Sequence, residues 1–258
     1  MNRGVDLNCD MGESFGAWTM GSDAEMLDIV SSANVACGFH AGDPLVMAET
    51  LEQARRRGVA VGAHPGFLDL WGFGRRQIRG DSPADIERMI AYQIGALMGV
   101  AALVGSAVTH VKAHGALSNM AAVEMDLALA IARAVKGVEP RLIFVVMPGN
   151  CLEQAGEAEG LRLAREVFAD RTYDDDGNLT PRKQPGAVIH DAALAAGRVL
   201  EMVQDGAIRA TSGKRIPVRI DTICVHGDNP AAVAMARAVR GALEGAGIAI
   251  RPMRELVA

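Results

Sequence analysis

Aromatic residues are scarce, 4% of a 258-residue chain, and the formal net charge is −5. A nucleic-acid binder needs a basic stripe with interleaved aromatics, so composition excludes that class. Arginine runs occur only at Arg55-Arg56-Arg57 and Arg75-Arg76. The first falls at the end of a predicted helix, where basic side chains complement the dipole. Cysteine is equally sparse: Cys9, Cys37, Cys151 and Cys224 show no CxxC spacing. Three of them sit in or beside apolar segments, where a thiol acts as a small hydrophobe. A reduced, cytoplasmic protein is expected. Residues 1–10 carry no apolar h-region of a signal peptide. The most apolar long stretch, 94–108, joins a helical segment to a strand and reads as core, not as a membrane span. No P-loop is spelled: near Gly213-Lys214, Arg215 replaces the hydroxyl residue and Ile208 stands where the first Gly belongs. No GxGxxG turn follows the first strand, and no serine-hydrolase elbow is expected.

What the chain does have is alternation. Apolar, β-favouring runs are expected as strands at 4–9, 33–37, 59–63, 107–112, 141–146, 161–167 and 217–225. Helices are expected at 24–31, 44–57, 83–104, 123–135, 150–157, 191–204 and 230–244, followed by a short apolar run at 248–252. Asp43-Pro44, Ser82-Pro83 and Asn229-Pro230 place Pro at a first helical position. Gly58 and Gly137 follow runs ending in basic residues, as at helix C-termini. Strand–helix alternation of this length predicts parallel strands covered by crossover helices, closed into an α/β (β/α) TIM-like barrel. An open doubly wound sheet is the competing arrangement. No linker or repeat interrupts the pattern, so residues 1–258 read as one barrel domain. Active-site loops are expected in the long stretches 64–81 and 168–185.

The chemistry lies at the strand ends. The first strand sets Asp6, Asn8 and Asp10 on one face by its two-residue period, and buried carboxylates there need partners. The second leads into His40 and Asp43, the third into His64 and Asp69. The fourth carries His110, Lys112 and His114 at period two, the sixth leads to Asp170-Arg171, and the seventh to His226 and Asp228. Catalytic groups converge at this end of barrel strands. Singly, most of these residues have plainer explanations. Asp43 is suited to capping the helix at Pro44, and Asp228 to an Asx turn. The acidic turn 174–178 lacks the closing Glu of a calcium loop. Glu13 and Trp18 fall in a Gly-rich loop that either lines a pocket or covers the mouth. Gly72-Phe73-Gly74-Arg75-Arg76 is suited to holding an anion.

Taken in order, seven segments resemble the LamB/YcsF family: DLNCDMGE at 6–13, ANVACGFHAGDP at 33–44, GAHP at 62–65, GFGRR at 72–76, VKAHGAL at 111–117, EVFADR at 166–171 and VHGDNP at 225–230. The family usually reads Lys-Pro-His-Gly-Ala-Leu-Tyr where this chain has Ala113 and Ser118. The resemblance implies a seven-stranded barrel of the glycoside hydrolase/deacetylase type. It also implies ATP-dependent opening of 5-oxoproline to L-glutamate, in a complex with 5-oxoprolinase subunits B and C.

On that reading Asp10, or a nearby His, is the general base. Lys112 and His114 stabilise the developing oxyanion or a phosphorylated oxygen, and His64 and His226 are further acid–base candidates. Arg75, Arg76 or Arg171 holds the substrate carboxylate or phosphate, with Asn8, Glu13, His40, Asp170 and Asp228 lining the substrate site. A divalent metal on Asp10, His40 and His64, as in deacetylase relatives, is the rival detail. The alternatives are a stand-alone metal-dependent amide hydrolase or deacetylase and a non-catalytic carrier of a small carboxylate. Neither nucleic acid nor membrane is an expected partner; self-association stays open.

Overall fold

Strand β1 (Gly4–Met11) shows how the chain divides its surfaces. Val5, Leu7, Cys9 and Met11 are buried in the hydrophobic cluster, while the alternating Asp6, Asn8 and Asp10 hydrogen-bond to polar groups of other strands. The two-residue period therefore gives the strand an apolar outer face under the helices and a polar inner face. The structure, a computed structural model, describes residues 4–227 and 230–257.

Six further parallel strands complete the barrel: β2 (Ser32–Ala36), β3 (Ala60–His64), β4 (Val108–Lys112), β5 (Ile143–Val146), β6 (Arg162–Phe168) and β9 (Thr222–Val225). They run in the order β1-β2-β3-β4-β5-β6-β9, and β9 pairs back onto β1 through Asp6↔Thr222 to Cys9↔Val225. Closure is thus complete with seven strands. The start of β1 also pairs with β10 (Ala249–Ile250). A hairpin, β7 (Ala207–Arg209) with β8 (Arg215–Pro217), lies outside the barrel sheet.

The crossover helices are α1 (Asp23–Met26), α2 (Pro44–Arg57), α3 (Pro83–Leu103), α4 (Gly115–Ala121), α5 (Met125–Val138), α6 (Cys151–Ala158), α7 (Ala192–Asp205) and α8 (Pro230–Gly245). Their starts follow local chemistry. The Asp43 carboxylate accepts from the Leu45 and Val46 amides, the Ser82 hydroxyl from the Asp85 amide and the Asn150 side chain from Leu152 and Glu153. Gly58, at φ 72°, ends α2 in the left-handed conformation expected of it. By length and composition α3 is long and apolar enough to cross a membrane. Its stripe Ile86, Ile90, Ile94, Leu97 and Ala101 is instead buried in the core.

Four expectations change. Gly137 falls in the last turn of α5, one residue before its end, with Glu139 rather than the glycine as the cap. The segment expected as one strand at 217–225 is divided, because Pro217 closes the outer hairpin and the barrel strand begins at Thr222. The helix expected at 24–31 is a single turn, Asp23–Met26. Helix α4 has no counterpart among the expected helices. Gly115 adopts φ 56°, and its neighbour Ala116 donates to the Gly74 carbonyl. The start signal at Asn229 lies outside the described residues.

Two glycines test this packing in opposite directions. A methyl group on Gly62 would stand 2.1 Å from the His110 ring, so Gly62→Ala should cost about 1–3 kcal/mol of stability. Gly137 meets nothing within 4 Å inside its helix, so Gly137→Ala should be neutral or stabilising by up to about 1 kcal/mol. Urea unfolding of both variants checks this; a tolerated Gly62→Ala would contradict the close approach of β3 and β4.

Candidate active site

A buried lysine organises the mouth of the barrel. Lys112, at the end of β4, extends its ammonium towards β1, β6 and β9. Nζ lies 2.7 Å from Glu166 Oε1, 3.0 Å from Asp10 Oδ1, 3.3 Å from Asn8 Oδ1 and 3.2 Å from Cys224 Sγ. Burial opposes its charge, but Asp10 and Glu166 outweigh that and keep its pKa well above the usual lysine value. Asp10 gains reciprocally. Burial raises its pKa, but His64 and Lys112 prevail and hold the carboxyl well below the usual range. Asn34 Nδ2 donates to both Asp10 Oδ1 (2.8 Å) and Asn8 Oδ1 (2.7 Å). Deeper in the barrel, His110 Nε2 lies 2.9 Å from Asn34 Oδ1, and burial holds the ring neutral, its pKa down at about 3. Asp6 takes hydroxyl hydrogen bonds from Ser31, Ser32 and Thr222. Burial pushes its pKa up to about 6.

Beside Asp10 lies a cluster of imidazoles. His64 Nδ1 is 2.8 Å from the Lys112 carbonyl oxygen, and His114 Nε2 is 2.9 Å from the Phe73 carbonyl oxygen. A carbonyl only accepts, so each of those nitrogens carries its ring's proton. The remaining nitrogens, His64 Nε2 and His114 Nδ1, face each other at 3.0 Å. His40 stacks on His114 with ring centroids 3.7 Å apart, and both of its nitrogens are buried without a hydrogen-bond partner. Glu13 approaches from the loop after β1, 3.7 Å from His40 Nε2 and 3.9 Å from His114 Nδ1. Burial, with Asp10 nearby, pushes the Glu13 pKa up to about 7. Burial lowers His40, and it brings His114 down to about 2.

The loop from 66 to 76 closes over these rings. A Cβ on Gly66 would stand 2.8 Å from His40 Nδ1, and one on Gly74 would stand 2.7 Å from the His114 ring. Asp69 clips the loop, accepting from the Gly72 amide and the Arg76 guanidinium. Phe73, at φ 54°, is the one non-glycine residue at positive φ among those described. Such strain persists where surrounding contacts impose it, and here it aims the Phe73 carbonyl at His114.

On the far side of Asp10, His226 Nδ1 lies 2.8 Å from Asp170 Oδ2. Burial opposes protonation of His226, but the hydrogen bond and charge of Asp170 prevail and raise its pKa. Asp170 is correspondingly lowered. Asp10, Cys224 and His226 each present an atom within 4.8 Å of the others. Burial drives the Cys224 thiol well above its usual pKa, so it stays protonated and offers no thiolate nucleophile.

The mouth therefore unites Asn8, Asp10, Glu13, His40, His64, Lys112, His114, Asp170 and His226. It does not unite every residue singled out in the sequence. Arg76 is held by Asp69. Arg171 is buried and donates to the Thr180 and Ala187 carbonyls, tying down its own loop. Arg75 lies over the Phe73 ring, 5.0 Å from its centroid. Asp228 lies outside the described residues. Two roles change: Lys112 spends its donors on Asp10, Glu166 and Asn8, and His114 spends its proton on Phe73, so neither offers a free N–H to an oxyanion. The metal set changes too. His40 and His64 cluster with Glu13 and His114, whereas Asp10 falls in the other group.

Sequence reasoning passed over Glu166 and Asn34 as functional positions. Glu166 did leave a signal, an acid inside an apolar strand that has to find a partner. It also passed over Gly12-Glu13-Ser14-Phe15-Gly16, which spells GxSxG. Ser14 is no elbow nucleophile: its hydroxyl accepts from the Met20 amide and donates to the Met20 carbonyl.

The LamB/YcsF family model matches residues 5–258. A protein of Rhodopseudomonas palustris (strain BisB5), named as the A subunit of 5-oxoprolinase, is 59% identical over 248 residues, 96% of this chain and 98% of that one. The crystal structure of a lactam utilization protein from Thermus thermophilus superposes with a TM-score of 0.91 at 48% identity, covering 96% of this chain and 99% of that one. A structure titled T48 deacetylase with substrate shares the fold at TM-score 0.53 and 15% identity, covering 99% and 90%.

The Asp170–His226 pair predicts a defined pH dependence. His226 is raised, so its contribution to stability is full below its unfolded pKa of about 6.5 and is lost as pH rises through the folded value. Asp170 is lowered, so its contribution is present above about pH 4 and is lost on acidification. Asp170→Asn should therefore cost most stability between about pH 4 and 6.5, and should move the His226 imidazole NMR titration to lower pH. An unmoved His226 midpoint would contradict the pairing.

Proposed function

Because the chain belongs to the LamB/YcsF family, we propose that it is the A subunit of a 5-oxoprolinase. In this reading its barrel mouth opens 5-oxoproline to L-glutamate, with ATP consumed in concert with partner subunits B and C. One observation carries it: Asp10, whose carboxylate form is favoured by His64 and Lys112, stands beside His226, whose protonated form is favoured by Asp170, with atoms of the two within 4.8 Å. That is a base–acid pair at one mouth, poised by environments that push the two pKa values apart.

A five-membered lactam is a resonance-stabilised amide without enough strain to open readily. Phosphoryl transfer from ATP to the lactam oxygen activates the carbonyl carbon. Asp10 takes a proton from the attacking water, and His226 gives one to the ring nitrogen as the C–N bond breaks. The acyl phosphate that remains loses phosphate to a second water. The sum is 5-oxoproline, ATP and two waters giving glutamate, ADP and phosphate. Lys112 and Glu166 position Asp10. The absence of a P-loop spelling in this chain supports handling of ATP by the partner subunits. Four unpaired cysteines, three of them buried, support a reducing, cytoplasmic setting.

Exposed apolar side chains support the assembly. Trp18 (74% exposed) and Trp71 (94%), with Leu68 near Trp71 in sequence, lie on the loops following β1 and β3, at the rim of the mouth. A partner protein seated there would cover them and close the site. The second reading, a metal-dependent amide hydrolase acting alone, draws on the imidazole cluster.

Glutamate release from 5-oxoproline, measured with and without ATP and subunits B and C, separates these readings. Turnover should require all components, and Asp10→Asn should lower it by about 10²–10⁴-fold in a folded protein. Lys112→Met should lose activity with Asp10 displaced. ATP-independent turnover by this chain alone would favour the second reading. The double variant W18S/W71S should fold normally and lose co-purification with the partners; full retention would place their docking surface elsewhere.

A further inference from the structure

We propose that Glu13, His40, His64 and His114 form a binding site for one divalent transition-metal cation of the zinc class. The argument begins with the two carbonyls. Lys112 and Phe73 each take the proton-bearing nitrogen of a ring, which leaves two lone pairs facing each other across 3.0 Å. Neutral imidazoles do not hold that arrangement without something positive between them. Either a shared proton or a metal ion satisfies it.

His40 decides between the two. It is 1% exposed and its nitrogens have no hydrogen-bond partner, an expensive state for a buried polar ring. Nε2 faces Glu13 across 3.7 Å, longer than a hydrogen bond. A proton shared by His64 and His114 leaves His40 orphaned and Glu13 unbound. A cation uses all four groups. Their donor atoms lie within 4.8 Å of one another: 3.0 Å from His64 to His114, 3.7 Å from Glu13 to His40 and 3.9 Å from Glu13 to His114. Tetrahedral zinc with ligands at about 2.0–2.1 Å has edges of about 3.3 Å, so the spread is that of a site needing only small adjustments.

The donor set selects the metal. Three imidazoles and one carboxylate suit zinc, cobalt or nickel better than magnesium or calcium, which take oxygen ligands. The supporting contacts also fit. Ligand histidines characteristically donate their other N–H to a carbonyl or carboxylate, as His64 and His114 do. The glycines at 66 and 74 let the loop backbone press on the rings and exclude bulkier contacts. Asp10 stands beside this site: Oδ1 is committed to Lys112 and Asn34, Oδ2 lies 3.3 Å from His64, and its ligand atom groups with those of Cys224 and His226.

The test uses the full chain, stripped with chelator and then titrated with Zn²⁺ by calorimetry and with Co²⁺ by visible absorption, without ATP, substrate or partners. One equivalent per chain is expected, with the cobalt bands of a low-coordinate site. His40→Ala and His114→Ala should each weaken binding by at least about tenfold, and Asp10→Asn should leave the stoichiometry at one. No binding near one equivalent, or binding that ignores His40→Ala, overturns the site, as does loss of binding in Asp10→Asn. If His40→Ala does not fold, pulsed EPR of the Cu²⁺-loaded chain counts coupled imidazoles: three support the site and two or fewer overturn it. Failure here leaves the glutamate-release assay untouched, so the two conclusions stand or fall separately.

Discussion

The ammonium of Lys112 is the interaction on which the barrel mouth depends. A lysine 5% exposed inside a closed barrel is tolerated only with its charge matched and its donors used. Asp10 from β1 and Glu166 from β6 supply the charge, with Asn8 as a further acceptor. Three strands are thereby held in one register at the mouth of the barrel. Removing one partner from such a network costs about 3–5 kcal/mol, because the remaining charge is stranded. The same contacts keep Asp10 ionised and fixed, which suits it to act on a neighbouring water.

From that anchor the site divides into two sides. On one, His226 Nδ1 lies 2.8 Å from the Asp170 carboxylate, whose charge favours the protonated imidazole. On the other, the imidazoles of His40, His64 and His114 pack edge to face and face to face. Backbone carbonyls, rather than side chains, orient two of these rings. One carbonyl belongs to Lys112 itself and the other to Phe73, whose left-handed backbone is maintained by the Asp69 clip beneath it. Loop conformation and imidazole tautomer are therefore one structural fact: changing the loop changes which nitrogen faces the site.

The barrel is legible in the sequence because its signals are local. Pro at the starts of α2 and α3, Gly58 after α2, and short apolar strands at regular spacing each act within a few residues. The errors are local too. Gly137 follows a basic run and reads as a helix end, yet α5 extends to Val138, and α4, which begins at Gly115, answers to no expected helix. Pro217 falls in an apolar run that reads as a barrel strand, yet its missing N–H suits an outer hairpin better. The deeper misses concern pairing. Arg76 and Arg171 carry the right chemistry for an anion, but Asp69 and two carbonyls claim them.

By itself the sequence determined the strand–helix alternation, the α/β class with a closed barrel preferred over an open sheet, and the position of the ionisable groups at the strand ends, because strand period and cap chemistry are written in nearest neighbours. It also carried the family, through motif order along nearly the whole chain. Tertiary structure alone decided which of those groups meet. Lys112 contacts Asp10 across 102 positions of sequence, and His64 faces His114 across 50. Charges and lone pairs act over a few ångströms of space, and no spacing along the chain states which strands will close to that distance. That is why the strand-end aspartate, lysine and histidines can be named from sequence, while their division into an Asp10–His226 side and an imidazole cluster cannot.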